Sequence, residues 1–378
     1  MHKSEAINRR EEDHVQFTLK EYQAPDFCSD EFAKAPNATL ASVVRDGVAP
    51  AGYHATTIFP EYFKIDGDWI LAAQSRMDCA AVYENGTIAV REFRHLKAGD
   101  QIVIGRSEDG SEGIYVHTDG FDDRRSGSNE SFTFRLGRNR ETAFSLDYDS
   151  LYEQLRHEKE HGYIVWVLGP ACAFDADSRR AFSRLVEHGY VHALLAGNAL
   201  AVHDLEASYR KSALGQDIYT QLFHPHGHYN HLDTINRVRE CGSIEQFINA
   251  EGIDEGIMFE CVKHQVPFVL VGSIRDDGPL PEVYANAYEG QDAMRAHLSK
   301  ATTIISMATT LHSIASGNMA PSFRVMDDGT IRQVYFYLVD ISEFAANKLG
   351  DRGSLSARSI ITNVQDFVVQ TSKSLVPE

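Results

Sequence analysis

A chain of 378 residues with 43% hydrophobic content is long enough to bury a sizeable core and to form two domains. Its formal net charge of −18 excludes nucleic acid and an anionic membrane surface as partners, because both demand a basic face. No apolar run reaches the roughly eighteen residues that span a bilayer. The opening MHKSEAINRREEDH is too charged for a signal peptide, and five dispersed cysteines without a CxxC pair read as reduced thiols of a cytoplasmic protein.

Residues 1–15 read as a polar, disordered tail. Residues 16–144 form a small β-rich domain, with short strands expected at Thr56–Phe59, Asp68–Ala72, Thr87–Val90 and Gln101–Ile104 between turn-forming stretches. Arg76, Asp78 and Cys79 bring a cation, a carboxylate and a thiol together within it, and a structural ion pair is the simpler reading of that cluster. Residues 119–139, rich in Gly, Ser, Asn and charge, read as a linker.

From 145 to 378 the period changes to strands alternating with helices. Apolar strands are expected at Tyr163–Leu168, Tyr190–Ala196, Val266–Val271, Thr302–Met307, Val334–Val339 and Ser359–Thr362. Helices are expected at Leu151–Glu160, just upstream of the first strand, then at Asp177–His188, near 200–210, 230–241, 255–264 and 287–299, from Thr310, and at Ser342–Leu349. About six near-continuously apolar strands separated by helices mean a doubly wound α/β domain with a parallel sheet. Ligands of such sheets bind beyond the carboxyl ends of the strands. The residues there are Gly169, Gly197 and Asn198, Gly272 and Ser273, Thr309 and Thr310, and Asp340.

The densest of these strand ends is the loop Ser273, Arg275, Asp276, Asp277 ahead of two prolines, where a plain surface loop with an Arg275–Asp276 ion pair competes with a ligand site. Asp340 can accept hydrogen bonds from the hydroxyls of an adenosine ribose, or cap the helix at Ser342. Thr309 and Thr310 open a helix whose free N–H groups suit a pyrophosphate, although a helix cap explains them as well. Neither GxGxxG nor GxxxxGK[ST] occurs, so a glycine-rich nucleotide loop is not the device used. Between His224 and His231, His228 and His231 stand at helical spacing for a metal. Without an HExxH pairing, a histidine-rich loop packed near the site, with no metal, is the preferred reading.

Several long motifs resemble one family. They are LLAGNALAVHD (Leu194–Asp204), GHYNHL (Gly227–Leu232), GIMFEC (Gly256–Cys261), GSIRDDGPLP (Gly272–Pro281), LHSIASGN (Leu311–Asn318) and DRGS (Asp351–Ser354), together with Gly52–Asp78. The chain resembles the LOR/SDH-region family over roughly residues 50 to 370. That family includes archaeal-type NAD-dependent ornithine cyclodeaminases and the C-terminal part of cyanobacterial arginine-degrading bifunctional enzymes.

The resemblance implies an NAD-binding domain like that of deoxyhypusine synthase. It implies NAD contacts at Asn198, Ala199, Asp277, Ala308, Thr309, Thr310, Leu311, Asp340 and Asn363. The substrate would lie near Arg76, as a clamp for its carboxylate, and Asp78, which would accept a proton or bind a distal ammonium. The implied reaction turns a diamino acid, L-ornithine first, into L-proline and ammonia with NAD recycled. Thr56–Glu61, Phe174–Asp177 and Thr362–Val364 depart from the family's pattern. They leave open a related NAD enzyme acting on another amino acid, as a dehydrogenase or deaminase, or a non-catalytic NAD-binding protein. Homo-oligomerisation is expected by analogy.

Overall fold

The computed structural model describes residues 17–121, 144–276, 278–341 and 356–377. The expected tail 1–15, nearly all of the linker, the helix Ser342–Leu349 and Asp277 lie outside the described residues.

The N-terminal part carries seven strands: β1 (Thr39–Ser42), β2 (Glu61–Ile65), β3 (Asp68–Leu71), β4 (Ala80–Glu84), β5 (Thr87–Arg91), β6 (Gln101–Ile104) and β7 (Ile114–Val116). They form an antiparallel sheet ordered β1-β6-β4-β5 and a smaller one ordered β3-β2-β7. Between the sheets pack Phe63, Ile65, Ala81, Ile88, Val103 and Ile114. The β-rich character is therefore as expected, but the strand at Thr56–Phe59 is not formed. Thr57 N–H donates to the Glu61 carboxylate and Phe59 N–H to Thr57 Oγ1 at 3.1 Å, and Pro60 has no N–H to give. With these donors engaged locally, ladder pairing starts only at Glu61.

The rest of the chain alternates. The elements are α2 (Phe144–His161), after the short α1 (Asp30–Lys34), then β8 (Ile164–Leu168), α3 (Ala176–Glu187), β9 (Ala193–Gly197) and α4 (Asn198–Arg210). A small hairpin of β10 (Ser212–Ala213) and β11 (Gln216–Asp217) leads to α5 (His228–Cys241), α6 (Ile244–Glu251) and α7 (Ile257–Lys263). There follow β12 (Phe268–Val271), β13 (Val283–Tyr284), α8 (Ala287–Leu298), β14 (Thr303–Met307), α9 (Thr310–Met319), β15 (Phe323–Val325), β16 (Ile331–Gln333), β17 (Tyr335–Asp340) and β18 (Ser356–Ile361), and a final helix at Val364–Leu375.

Seven of these strands form one sheet ordered β13-β12-β9-β8-β14-β17-β18, parallel throughout. That is one strand more than the apolar runs announce, because β13 is a two-residue edge. Alternate residues of β8 feed opposite cores: Ile164, Trp166 and Leu168 pack with Phe182, Phe247 and Phe367, while Val165 and Val167 pack with Met294, Leu298 and Phe336. Burial on both faces is why the strand reads as an unbroken apolar run. In chain order the seven strands read 4-3-2-1-5-6-7, so the winding reverses between β8 and β14. No helix among the described residues is long and apolar enough to cross a membrane.

Candidate functional site

Where the winding reverses, the ends of β8 and β14 meet without a gap. Gly169 N–H donates to Met307 O at 2.8 Å, and a Cβ on Gly169 would stand 1.8 Å from Ala308 O. Only glycine fits at that distance. Ala308 takes a left-handed φ of +54°, which turns the chain sharply from β14 into α9. Thr309, the N-cap, gives no side-chain cap, so the first-turn amides of α9 keep their hydrogen-bonding capacity. The same is true of α4, whose N-cap is Gly197. Two helices thus present uncapped amino ends to one crevice of about 550 Å³, which favours an anionic group such as a diphosphate.

The loop after β12 forms one wall. Asp276 Oδ2 accepts from Ser273 N at 2.7 Å and Ser273 Oγ from Arg275 N at 3.2 Å, so the loop closes on itself. The expected Arg275–Asp276 ion pair is not formed: the Asp276 carboxylate is engaged by the backbone and the Arg275 side chain is exposed. Asn198 Oδ1 accepts from Leu280 N at 3.1 Å and ties the far end of this loop to the start of α4.

Of the residues implied to hold NAD, Asn198, Ala199 and Thr309 line the crevice, and Ala308 forms the bend beside it. Thr310 and Leu311 stand exposed on the first turn of α9. Asp340 ends β17, the neighbour of β14, and Asn363 lies after β18, where its Oδ1 caps the final helix by accepting from Gln365 N at 2.8 Å. Arg76 and Asp78, expected near a substrate lying between the two parts of the chain, stand apart from this group. Arg76 Nη1 is 2.7 Å from Glu92 Oε1, and Arg295 binds the same carboxylate. These residues line a second cavity of about 780 Å³ at the seam with the β-rich part, reached by Met319 at the carboxyl end of α9, whereas His312 near its amino end lines the crevice. The length of α9, on the order of 15 Å, separates the two. Arg76 is held by Glu92, and Asp78 is exposed with a left-handed φ of +63°.

Three residues that pattern-reading did not single out lie in or against the crevice wall. His312, beside Gly197, is held below the usual imidazole pKa by burial. His203 and Glu206 project from α4, and His231 from α5 meets them. His203 Nδ1 lies 3.4 Å and His231 Nδ1 3.5 Å from Glu206 Oε2, with the rings stacked at 4.9 Å. Glu206 also accepts from Ser212 Oγ at 2.8 Å, Gly215 N at 3.0 Å and Leu214 N at 3.1 Å. The hairpin that supplies these donors is locked by Gly215 against Gly227, since a Cβ on Gly215 would fall 2.5 Å from the Gly227 backbone. That contact seats the start of α5 and brings His231 inward. The clue in the sequence was the run of His, Asp and Glu inside an otherwise apolar helix, because buried polar groups require partners.

Burial alone would raise the pKa of Glu206, but hydrogen bonds from His203, Gly215 and Ser212, with the His231 imidazole 3.5 Å away, outweigh it and hold the carboxyl at about 2, against an ordinary 4.5. A folded-state pKa below the unfolded one stabilises the fold above that ordinary value, and the contribution disappears as pH falls from 4.5 towards 2. Melting temperatures followed by circular dichroism should therefore fall through this window. Glu206→Gln should melt lower at neutral pH and lose less on acidification; equal acid limbs for the two proteins would exclude Glu206 as a source.

Comparison with known proteins agrees with this geometry. Residues 150–371 match the family described as arginine dihydrolase ArgZ-like, C-terminal, Rossmann fold, and residues 60–139 match its C-terminal first region. The chain is 36% identical over 333 residues to the ornithine cyclodeaminase of Methanopyrus kandleri, covering 87% of this chain and 76% of that one. It is 34% identical over 345 residues to the bifunctional arginine dihydrolase/ornithine cyclodeaminase AgrE of a Nostoc species, covering 90% of this chain and 47% of AgrE. The chain thus spans about half the length of that bifunctional enzyme. Among solved structures, a conserved LOR/SDH protein from Methanococcus maripaludis superposes with a TM-score of 0.80 at 32% identity, over 90% of this chain and 98% of that one. The ternary complex of AgrE with ornithine and NAD+ gives 0.57 at 33% identity, over 90% of this chain and 46% of AgrE. With the resemblance read from its motifs borne out, the chain belongs to the family of the archaeal ornithine cyclodeaminases and the C-terminal region of the ArgZ-like arginine dihydrolases.

Proposed function

We propose that this protein is an NAD-dependent ornithine cyclodeaminase, forming L-proline and ammonia from L-ornithine. One observation carries the reading: a winding reversal at which two uncapped helices, α4 and α9, open onto one crevice, in a chain of this family. The crevice fits a dinucleotide. The amides of α4 and α9 would take the diphosphate and Asp340 a ribose, while Gly169 lets β14 and α9 come close. Bound NAD would supply a two-electron acceptor that is regenerated within each turnover.

The chain's own residues must then hold the substrate's α-carbon against the cofactor and exclude water. The loop Ser273–Asp276 and its tie to Asn198 would provide that wall. Because Arg76 is paired with Glu92, the substrate carboxylate is assigned to the crevice, with the exposed Arg275 as the guanidinium on its wall. The exposed apolar side chains of Leu214, Leu232 and Ile274 near the crevice support a homo-oligomer, and the five dispersed, unpaired cysteines support a cytoplasmic setting.

The test is to incubate the purified chain with NAD and L-ornithine and to follow proline, ammonia and NADH together. Equal proline and ammonia without net NADH is the expected result. Steady NADH would mean a dehydrogenase, and a thermal shift by NAD without turnover of any amino acid would mean a non-catalytic NAD-binding protein. In the same preparation Asp340→Ala should weaken NAD binding about 10-fold to 100-fold by calorimetry, the worth of hydrogen bonds to a charged group.

A further inference from the structure

The reaction proposed above moves protons as well as a hydride. Both amines of a diamino acid are protonated at neutral pH. The α-ammonium must lose a proton before its carbon can give up hydride, and the distal ammonium must lose one before its nitrogen attacks the imine carbon. Ammonia then leaves with the electron pair of the broken C–N bond. One proton goes back to that ammonia and one to the ring nitrogen, so two are taken and two returned. The site therefore needs groups that act as bases in the first half and acids in the second.

His203 and His231 have the geometry for this. Each turns Nδ1 towards the same oxygen of Glu206, at 3.4 and 3.5 Å, which sets Nε2 on the far edge of the ring, and both rings line the crevice. The rings stack 4.9 Å apart in front of that one carboxylate. Glu206 is fixed from behind by Ser212, Leu214 and Gly215 and so holds both imidazoles in place. Phe174 packs edge-on against His203 at 5.3 Å and keeps water from its inner face. Among the described residues, the other charged or titratable groups lining the crevice are Arg275 and Asp276 of the β12 loop and His312 of α9.

We propose that His203 and His231, sharing Glu206, form the acid–base pair of this crevice, taking protons from the substrate's amines and returning them to the departing ammonia and the ring nitrogen. This rests on the cyclodeaminase reading. The same three side chains offer ligand atoms within 4.8 Å of one another, close enough for a metal ion. The filled hydrogen-bonding capacity of Glu206 favours the proton role.

The experiment uses His231→Gln and His203→Gln beside the wild-type chain. Each variant should lower kcat by about 100-fold to 10,000-fold, the usual worth of a general acid or base. It should also keep the thermal shift produced by NAD, lose one limb of the pH profile, and recover part of its rate with added imidazole. Unchanged kcat and pH profile in both variants would overturn the assignment. So would a stoichiometric metal in the wild type, measured by mass spectrometry, that is lost from His203→Gln. A wild type inert towards ornithine would sink the cyclodeaminase reading, whereas an active wild type with two unchanged variants sinks this assignment alone.

Discussion

Alanine at Gly169 is expected to raise the Kd for NAD by about 100-fold and to lower the melting temperature by about 10 °C. The added methyl would lie 1.8 Å from Ala308 O, 2.5 Å from Ala308 C and 3.2 Å from Thr309 Cβ, so two backbones have to part by more than an ångström. Neither has room to give. β8 and β14 are paired from Ile164–Thr303 to Leu168–Met307, and all of their residues are buried. The displacement therefore passes to Ala308, already left-handed, and to the first turn of α9. Overpacking costs about 1–3 kcal/mol, and at 2–4 °C per kcal/mol for a domain of this size the larger value gives the stated shift. Moving an anion-binding turn by an ångström carries a further penalty in affinity on the order of 100-fold. Gly252→Ala is the control: its φ is +63° but a Cβ there meets nothing within 4 Å. It should cost only local backbone strain and leave NAD affinity alone. Equal NAD affinity in Gly169→Ala and the wild type would mean that the cofactor does not use the amino end of α9.

The parallel sheet was legible because its strands are buried on both faces. Ile164–Leu168 carries no polar side chain, and the two polar side chains of Thr303–Met307 are each partnered, Thr303 by Gln154 and Ser306 by Ser313. The edge strand Val283–Tyr284 was not legible, since two residues carry no period and their pairing is decided by β12. In the β-rich part, Thr56–Phe59 looked like a strand by residue type. It became a loop because Glu61, four residues on, takes the Thr57 amide.

The candidate site divides in the same way. Asn198, Thr309 and Asp340 could be found as polar tips of apolar runs, a local signal. His203, Glu206 and His312 left only a weak signal, polar groups inside a helix, because the site they build is completed by residues far along the chain. Glu206 meets His231 only after the hairpin at Ser212–Asp217 and the Gly215–Gly227 contact have brought α5 back to α4. Arg76 shows the same limit: an ion pair was the simpler reading of its cluster, but the partner is Glu92, sixteen residues away across β4 and β5. The identity of the cofactor came from motif resemblance and not from any periodicity.

Asp204→Ala should be the most destabilising polar substitution tested, with a loss of about 3–5 kcal/mol. The Asp204 carboxylate is fully buried and accepts from Arg179 Nε at 2.7 Å, Ile257 N at 2.9 Å and Met258 N at 2.7 Å. It therefore closes an ion pair with α3 and caps the amino end of α7 at once. Removing it leaves Arg179, only 4% exposed, with just the longer ion pair to the part-exposed Glu255 at 3.7 Å, and strands two amides. A double variant, Arg179→Met with Asp204→Leu, separates the two costs. It abolishes the buried charge but not the orphaned amides, so it should recover part of the loss and still fall below the wild type in urea midpoint. If Asp204→Ala unfolds at the wild-type midpoint, the carboxylate is not the anchor of α4. If the double variant is no better than Asp204→Ala, the amides rather than the charge set the cost. Because α4 also carries Asn198, His203 and Glu206, a helix loosened at Asp204 should weaken NAD binding even though Asp204 faces away from the crevice towards Arg179. An affinity loss that tracks the stability loss across these variants would identify α4 as the element through which packing reaches the site.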